Sequence, residues 1–404
     1  MTPQRSERTV VFLLGAVQFV NILDFMIVMP LGPDFAQALG IPVSHLGYIG
    51  GSYTAAAAVA GLAASFFLDR FDRRSALAAC MLGLVLSTAL GAFAVDLWTL
   101  LATRVLAGAF GGPATALALS ILSDLIPPER RGKAMGAFMG AFAAASVLGV
   151  PAGLELSRRG GWRLPFLAVA AMGLVVAALA IFLLPKMRGH LEAGRHRRRA
   201  PYGELFRRPA VLMAFAATAL VMGSSFAVIP NISPYLQNNL GFPREHLGLL
   251  YLVGGAVSFV AARVSGGLVD RYGAARIATI GSLGVALVLY GTFFEVPPLW
   301  PVPVAFVGLM LSMAIRNVPH NTLMTMVPGP SERAQFMSLQ SAVQHMASAA
   351  GAFLSSQMLT ERADHSLVGM RSVVTVSLGL TLLLPFLLFA LQARVKSKLS
   401  PVAA

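Results

Sequence analysis

Hydrophobic residues dominate twelve long segments of the chain, and short polar stretches separate them. The segments lie at 10–31, 45–67, 75–95, 97–126, 133–155, 163–185, 210–236, 246–268, 276–294, 299–326, 332–358 and 370–393. A helix of about 20 apolar residues crosses roughly 30 Å of hydrocarbon. The pattern therefore predicts an all-α membrane protein with twelve transmembrane helices. The first segment has no small-residue cleavage site, so we interpret it as a retained helix.

The longest polar interruption divides the helices into two groups of six. The predicted parts are an N-terminal bundle at 1–185, a basic linker at 186–209 and a C-terminal bundle at 210–404. Asp69 and Asp270 each follow the second helix of a group, 201 positions apart. Glu129 and Glu332 each precede the fifth helix of a group, 203 positions apart. This internal repeat predicts two pseudo-symmetric six-helix bundles.

Composition excludes several classes of protein. Hydrophobic residues make up 56% of the chain and charged residues only 12%. Soluble domains are about 25% charged, and disordered chains are poor in apolar residues, so neither class fits. The single cysteine, Cys80, cannot form a disulfide within the chain. It also cannot build a cysteine-ligated metal site, and we expect no metal and no cofactor.

The location of the basic residues orients the helices. Of 31 Lys and Arg, 22 lie in the terminal segments, the linker and the loops predicted on the same side, whereas 6 lie on the opposite side. By the positive-inside rule, both termini and the linker are expected to be cytoplasmic, in the cell (inner) membrane. The net charge of +14 therefore indicates membrane topology and contact with anionic lipid, not a nucleic-acid partner.

Two loops carry a related motif. Residues 65–74 read Ser-Phe-Phe-Leu-Asp-Arg-Phe-Asp-Arg-Arg, and residues 266–276 read Gly-Gly-Leu-Val-Asp-Arg-Tyr-Gly-Ala-Ala-Arg. Both resemble the G-x-x-x-D-R-x-G-R-R/K signature of the major facilitator superfamily, and the resemblance extends along the whole chain. In the first copy Ser65 and Asp72 replace two glycines. Because Asp tolerates a left-handed turn, we expect the turn to persist there.

The resemblance implies the superfamily's fold and transport by alternating access. It also implies that the motif acid faces the N-terminus of helix eleven and latches the cytoplasmic side. The residues that match this conformational latch are Asp69, Arg70, Arg73, Arg74, Asp270, Arg271 and Gly273.

The fifth apolar segment contains a second motif, formed by Gly149, Pro151 and Gly153. This G-x-P-x-G pattern resembles the arabinose- and sugar-efflux-like branch, whereas proton-coupled drug exporters carry G-P-x-x-G-G. Proline removes a backbone donor, and the glycines permit close contact between helices. We expect a helix-packing role for all three residues.

Two charged residues lie at similar depth in predicted helices. Asp24 is the one acid deep in an apolar segment, and Arg104 lies in the fourth segment. An unpaired charge at the bilayer centre costs at least ~2.5–3.5 kcal/mol, so we expect the two to pair. Arg104 and Gly108 also resemble the superfamily's R-x-x-x-G motif associated with proton transfer. The resemblance therefore implies proton coupling at Asp24 and Arg104; the alternative is a static ion pair that only fixes helix packing.

Other polar residues within apolar segments are candidate contacts for a substrate, because the resemblance implies that spans one, four and ten line a central cavity. The candidates are Gln18, Asn21, Asn231, Tyr235, Arg316, Asn317, His320, Asn321 and Gln344. A lone buried His such as His320 is more often hydrogen-bonded structure than a ligand. Pro230 and Pro234 predict a broken helix end near Asn231 and Tyr235.

The leading functional hypothesis is a secondary transporter, not an enzyme, that exports a small drug-like or sugar-like organic molecule in exchange for protons. The expected partners are this substrate, protons and membrane lipid, and the chain is expected to be a monomer. One alternative is uptake or exchange of an organic anion, because Arg104 and Arg316 outnumber Asp24 among the deep charges. Another is a membrane-embedded enzyme or lipid-handling protein on a transporter-like scaffold, which would need a nucleophile and base that we do not find.

Overall fold

Each of the twelve apolar segments is helical in the part of the chain that the structure describes. The structure is a computed structural model, and it describes residues 7–67, 71–185, 187, 205–295, 298–329 and 332–399. The chain divides into two units. Unit one contains residues 1–42 and 48–198, and unit two contains residues 43–47 and 199–404.

Unit one consists of helices around α1. Its helices are α1 (Glu7–Ile27), the short α2 (Gly32–Leu39), α3 (Leu46–Phe67, whose first two residues group with unit two), α4 (Arg73–Gly91), α5 (Leu97–Leu125), α6 (Pro128–Ala144), α7 (Val150–Gly160) and α8 (Arg163–Leu183). Helix α1 packs against α5, α6 and α8, and α4 packs against α5 and α8. Residues of α1 therefore face several helices at once.

Unit two repeats this arrangement around α9. Its helices are α9 (Pro209–Pro234), α10 (Leu247–Tyr272), α11 (Ala274–Phe293), α12 (Val302–Met326), α13 (Arg333–Met358) and α14 (Met370–Leu399). Helix α9 packs against α13 and α14, and α11 packs against α12 and α14. Two short strands, β1 (Thr360–Glu361) and β2 (Leu367–Val368), pair antiparallel between α13 and α14.

Ten helical segments of the described residues are long and apolar enough to cross a membrane. The other two long helices, α3 and α13, have 22 and 26 residues and correspond to the second and eleventh apolar segments. Helix α3 is rich in Gly and Ala, and α13 carries Ser, Gln and His. The chain is a multi-pass membrane protein with the twelve-helix fold that the hydropathy pattern predicts.

Proline widens the helix in the fifth apolar segment. Between α6 and α7 the backbone forms a turn of π-helix at Ala145–Gly149, just before Pro151. A proline in a helix has no N–H, and its ring clashes with the carbonyl four residues earlier. The wider turn relieves this clash, and the Val150 N–H donates to the Ala145 carbonyl five residues back.

The end of the seventh apolar segment differs from the prediction. We expected Pro230 and Pro234 to break the helix, but α9 runs through both prolines and continues as a π-turn at Tyr235–Asn239. The Asn239 side chain at the end of this turn hydrogen-bonds to the backbone of Leu367, with two bonds of 2.9 Å. The π-turn thus absorbs the prolines without a break and connects α9 to the β-hairpin.

Local caps fix where helices begin. The carboxylate of Asp96 accepts a 2.8 Å hydrogen bond from the Thr99 N–H, and the Thr99 hydroxyl accepts one from the Asp96 N–H. This capping box starts α5. The hydrogen bonds from the Thr99 backbone and hydroxyl hold the pKa of the Asp96 carboxyl below its usual range.

Candidate functional site

An ion pair lies inside unit one. The Arg104 guanidinium on α5 donates from Nη1 to both carboxylate oxygens of Asp24 on α1, at 3.1 Å to Oδ1 and 3.3 Å to Oδ2. Each side chain is only 1% exposed. The structure therefore brings together the two deep charges that the sequence suggested would pair.

Two further residues surround this pair, and the sequence analysis missed both. The hydroxyl of Thr88 on α4 lies 2.7 Å from Asp24 Oδ1, so Oδ1 can accept from two groups. The ring of Phe166 on α8 lies 5.2 Å from the Arg104 Cζ, a cation–π contact. Among the described residues, Arg104 Nε and Nη2 have no hydrogen-bond partner. The hydrogen-bonding groups of Arg104 are thus only partly paired.

A second polar cluster lies one helical turn away on α1. The Tyr53 hydroxyl donates to Asn21 Oδ1 at 2.7 Å, and Asn21 Nδ2 donates to the Gly111 carbonyl at 2.9 Å and to Thr115 Oγ1 at 2.6 Å. The Thr115 hydroxyl in turn donates to Gln18 Oε1 at 3.0 Å. Asn21 and Gln18, both predicted substrate contacts, are therefore already hydrogen-bonded within unit one.

Glycines on α5 allow these contacts because they let α3 approach closely. A Cβ on Gly108 would collide with the Tyr53 carbonyl, and one on Gly112 would lie 2.6 Å from the Ala57 carbonyl. Both neighbours are backbone atoms, so a flexible side chain cannot move aside. Close approach of the two backbones thus positions Tyr53 against Asn21.

We expect Gly108→Ala to destabilise the protein by about 1–3 kcal/mol, because the new methyl group must push α3 and α5 apart. Thermal unfolding of the purified protein measures this loss. Gly136→Ala on α6 is the matched control, since a Cβ there meets nothing within 4 Å. Alanine favours a helix over glycine, so the control should retain or gain stability. Equal melting temperatures of the Gly108→Ala and Gly136→Ala variants would contradict a tight α3–α5 contact.

The motif of Gly149, Pro151 and Gly153 lies against α1. A Cβ on Gly149 would lie 2.7 Å from Leu23 Cδ1, and one on Gly153 would overlap the Ile27 side chain. Leu23 adjoins Asp24 in the sequence. The two glycines therefore allow the π-turn and α7 to pack closely against α1, the helix that carries Asp24.

Unit two contains a second buried arginine, with different partners. Arg316 on α12 is 0% exposed and donates to Ser225 Oγ at 2.6 Å, to Ser224 Oγ at 3.4 Å and to Asn317 Oδ1 at 3.4 Å. None of the carboxylates in the described residues pairs with it. A Cβ on Gly281 would collide with the backbone of Arg316, so α11 packs directly behind α12 at this level.

The remaining candidates of unit two form separate groups. His320 Nε2 lies 3.2 Å from the Thr218 hydroxyl, which also accepts from Gln340 Nε2. Asn231 donates to Ser355 Oγ at 3.0 Å. The Tyr235 ring packs on Phe293, with 4.6 Å between ring centroids, and Asn321 and Gln344 are exposed. Sequence reasoning missed the serines and Thr218, because hydroxyls are common in apolar helices and give no charge signal.

A family comparison identifies the chain. The model of the Major Facilitator Superfamily matches residues 14–352, with a second match at 214–404. The chain belongs to this superfamily. It is a secondary transporter and not an enzyme.

Individual proteins of the superfamily resemble the chain over most of its length. A probable sugar efflux transporter of Pasteurella multocida is 24% identical, over 93% of this chain and 91% of its own. A chloramphenicol resistance protein of Streptomyces lividans is 29% identical, over 66% of this chain and 68% of its own. The purine ribonucleoside efflux pump NepI of Shigella sonnei is 29% identical, over 72% and 76% respectively.

Solved structures of the superfamily share the fold. A D-xylose–proton symporter has a TM-score of 0.73 at 17% identity, with 94% of this chain and 96% of that chain covered. A bacterial homologue of the human lysosomal transporter Spinster, inward-facing and occupied, has a TM-score of 0.72 at 19% identity, with 98% and 97% covered. At this identity the likeness concerns the fold alone.

The superfamily's loop signature is partly described in unit one, since Asp69 and Arg70 lie outside the described residues. Arg73 pairs with Asp124 on α5, and Arg74 donates to the Leu184 carbonyl at 3.3 Å. The expected left-handed turn at Asp72 is wrong, because its φ is −58°. Asp72 is instead the N-cap of α4, where its carboxylate accepts from two backbone N–H groups of the first turn.

The second copy of the signature differs at the equivalent position. Gly273 has a φ of +87°, a conformation that favours glycine, and it ends α10. The Gln392 side chain on α14 accepts a 2.8 Å hydrogen bond from the Ala275 N–H at the start of α11. Asp270 and Arg271 are exposed, and Asp270 forms no ion pair with another described residue.

Proposed function

We propose that the chain exports a small organic molecule in exchange for protons by alternating access. The observation that carries the proposal is the buried pair of Asp24 and Arg104. A carboxylate only 1% exposed inside a membrane protein is costly and is common in proton pathways. The relatives named as a probable sugar efflux transporter and as a purine ribonucleoside efflux pump support the direction of transport.

Asp24 has the features of a proton carrier. Its Oδ1 accepts from Thr88 and Arg104, whereas Oδ2, within the residues that the structure describes, accepts only the longer 3.3 Å bond from Arg104. Oδ2 is therefore the oxygen that binds a proton with the least loss of hydrogen bonding. Protonation removes the negative charge and weakens the bond to Arg104, which frees α1 and α5 to separate. Loss of the proton restores the ion pair. Exchange of one proton can thus bias two arrangements of this unit.

Each unit has its own candidate contacts for the substrate. In unit one, Gln18 and Asn21 belong to a hydrogen-bonded cluster that the substrate enters by replacing internal hydrogen bonds. In unit two, Asn321 and Gln344 are exposed, and Asn317 hydrogen-bonds to Arg316. The remaining candidates are Asn231, Tyr235, Arg316 and His320.

Flux measurements in proteoliposomes test the proposal. A panel of nucleosides, sugars, cationic drugs and organic acids is offered with and without an imposed pH gradient. We expect at least one compound to accumulate only when the gradient is present, and an uncoupler to abolish this accumulation. Transport of that compound at the same final level with and without the gradient would overturn proton coupling.

The orientation in the membrane is also a proposal. We place both termini and the 186–209 linker in the cytoplasm of an inner-membrane monomer, because 22 Lys and Arg lie on that side and 6 on the other. Reporter fusions after Arg208 and after Arg394 should both report a cytoplasmic location. A periplasmic signal from either fusion would contradict this orientation.

A further inference from the structure

Among the described residues, Arg316 is a buried cation whose hydrogen-bond partners are all neutral groups. Its hydrogen bonds go to two serine hydroxyls and one amide oxygen, and two of the three are 3.4 Å long. Charge-assisted hydrogen bonds of a guanidinium are normally about 2.7–2.9 Å. The hydroxyl protons of Ser224 and Ser225 point to the Val221 carbonyl, at 3.1 and 2.7 Å, so their lone pairs face the guanidinium. The site is therefore built to orient Arg316 but does not neutralise it.

The two buried arginines, Arg104 and Arg316, differ in the charge of their partners. Both arginines are almost completely buried, but Arg104 contacts a carboxylate and Arg316 does not. The acids of unit two in the described part of the chain lie in loops or at helix ends. They are Glu245, Asp270, Glu295, Glu332, Glu361 and Asp364. A buried charge is retained at a cost unless an opposite charge joins it. One negative charge would neutralise the Arg316 guanidinium.

Side-chain exposure decreases along α12 from Asn321 to Arg316. Asn321 is exposed, Asn317 one turn earlier is half-buried, and the Asn317 amide oxygen makes one of the two long bonds to the guanidinium. An entering anion can replace this oxygen and the Ser224 hydroxyl, both at 3.4 Å, with little loss. Gly281 lets α11 pack directly against the backbone of Arg316, and the 2.6 Å bond to Ser225 Oγ remains to orient the guanidinium.

We propose that Arg316, oriented by Ser224 and Ser225, binds the carboxylate of an organic anion that the protein transports. The planar guanidinium matches a carboxylate with two parallel hydrogen bonds, which a neutral amide cannot reproduce. The inference rests on the proposed transport function for its physiological meaning. Binding itself needs neither a pH gradient nor Asp24.

Ligand-dependent thermal unfolding of the purified full chain tests the site. Benzoate is the probe, and benzamide is its neutral match in size and shape. The proteins compared are the wild type, Arg316→Gln, Arg316→Lys and Arg263→Gln. Arg263 is the matched control because it is another arginine within a span of unit two, is exposed and stacks on Phe259 at 5.8 Å. Chloride is tested alone as an inorganic anion.

We expect benzoate, but not benzamide or chloride, to raise the melting temperature of the wild type and of Arg263→Gln. Arg316→Gln should bind benzoate at least about tenfold more weakly, and Arg316→Lys should be intermediate because it keeps the charge but loses the planar fork. Without ligand, Arg316→Gln should melt at or above the wild-type temperature, because it removes an uncompensated charge.

Three results would overturn the inference: equal stabilisation by benzoate and benzamide, equal stabilisation by chloride, or unchanged benzoate binding in both Arg316 variants. If Arg316→Gln does not fold, the lysine variant alone decides. If benzoate does not bind at Arg316, the proton-coupling result from the flux measurements still stands. Those measurements test coupling with any compound that the protein transports. Loss of gradient-driven flux with retained benzoate binding would instead reject the proposed coupling and keep the anion site.

Discussion

Asp24→Asn is expected to abolish accumulation of substrate driven by a pH gradient. The amide has nearly the shape of the carboxylate, and its oxygen can still accept from Thr88 and Arg104. It cannot bind and release a proton in the physiological range. The variant should therefore keep substrate exchange that needs no gradient, while gradient-driven accumulation falls to the level of empty liposomes.

Asp96→Asn is the matched control for this experiment. Asp96 is an exposed N-cap of α5, and Asn caps helices equally well, so this variant should transport like the wild type. Rates are normalised to folded protein measured by size-exclusion chromatography. If folded Asp24→Asn still accumulates substrate in response to the gradient, Asp24 is not the coupling residue, and the ion pair is structural.

Arg104→Gln is expected to produce the largest loss of stability. The substitution leaves the Asp24 carboxylate buried. Of its donors among the residues that the structure describes, only the Thr88 hydroxyl remains. Breaking a buried pair by removing one partner costs about 3–5 kcal/mol, mostly because the other charge is left uncompensated. Chemical or thermal unfolding in detergent should show a loss of this size.

The double variant Asp24→Asn/Arg104→Gln separates two causes of lost stability, an unpaired charge and altered packing. Because it removes both charges, it should recover most of the stability lost in Arg104→Gln. Arg316→Gln provides the contrast, since that arginine has no carboxylate partner in the described part of the chain and its removal should not destabilise the protein. If the double variant is as unstable as Arg104→Gln, the loss comes from packing around Phe166 and not from the unpaired charge.

Hydropathy and charge were sufficient to predict the helices and the pairing of Asp24 with Arg104. Twelve apolar segments gave twelve helical segments, because a membrane span requires a long apolar run and leaves few alternatives. Asp24 and Arg104 could be matched since a fixed rise per residue converts position in a helix into depth. The long repeat likewise predicted the similar arrangement of helices around α1 and α9.

The partners of the charged residues could not be predicted in the same way. Thr88, Ser224 and Ser225 contact charges only because of how neighbouring helices are rotated, and hydropathy does not record rotation. At Asp72 we expected a left-handed turn, but this residue is the N-cap of α4, a contact that the motif pattern does not encode. At Pro234 the helix continues as a π-turn where we expected a break, because one wider turn still forms backbone hydrogen bonds.

Movement of protons opposite to the substrate can be measured directly. Proteoliposomes containing the wild-type protein and a transported compound identified by the flux panel are prepared with a substrate gradient, equal pH on both sides and a pH-sensitive dye inside. Coupled exchange requires substrate leaving the vesicle to bring protons in, so we expect acidification of the lumen by the wild type and none by Asp24→Asn. Efflux of the compound by the wild type with no change in internal pH would rule out exchange of substrate for protons.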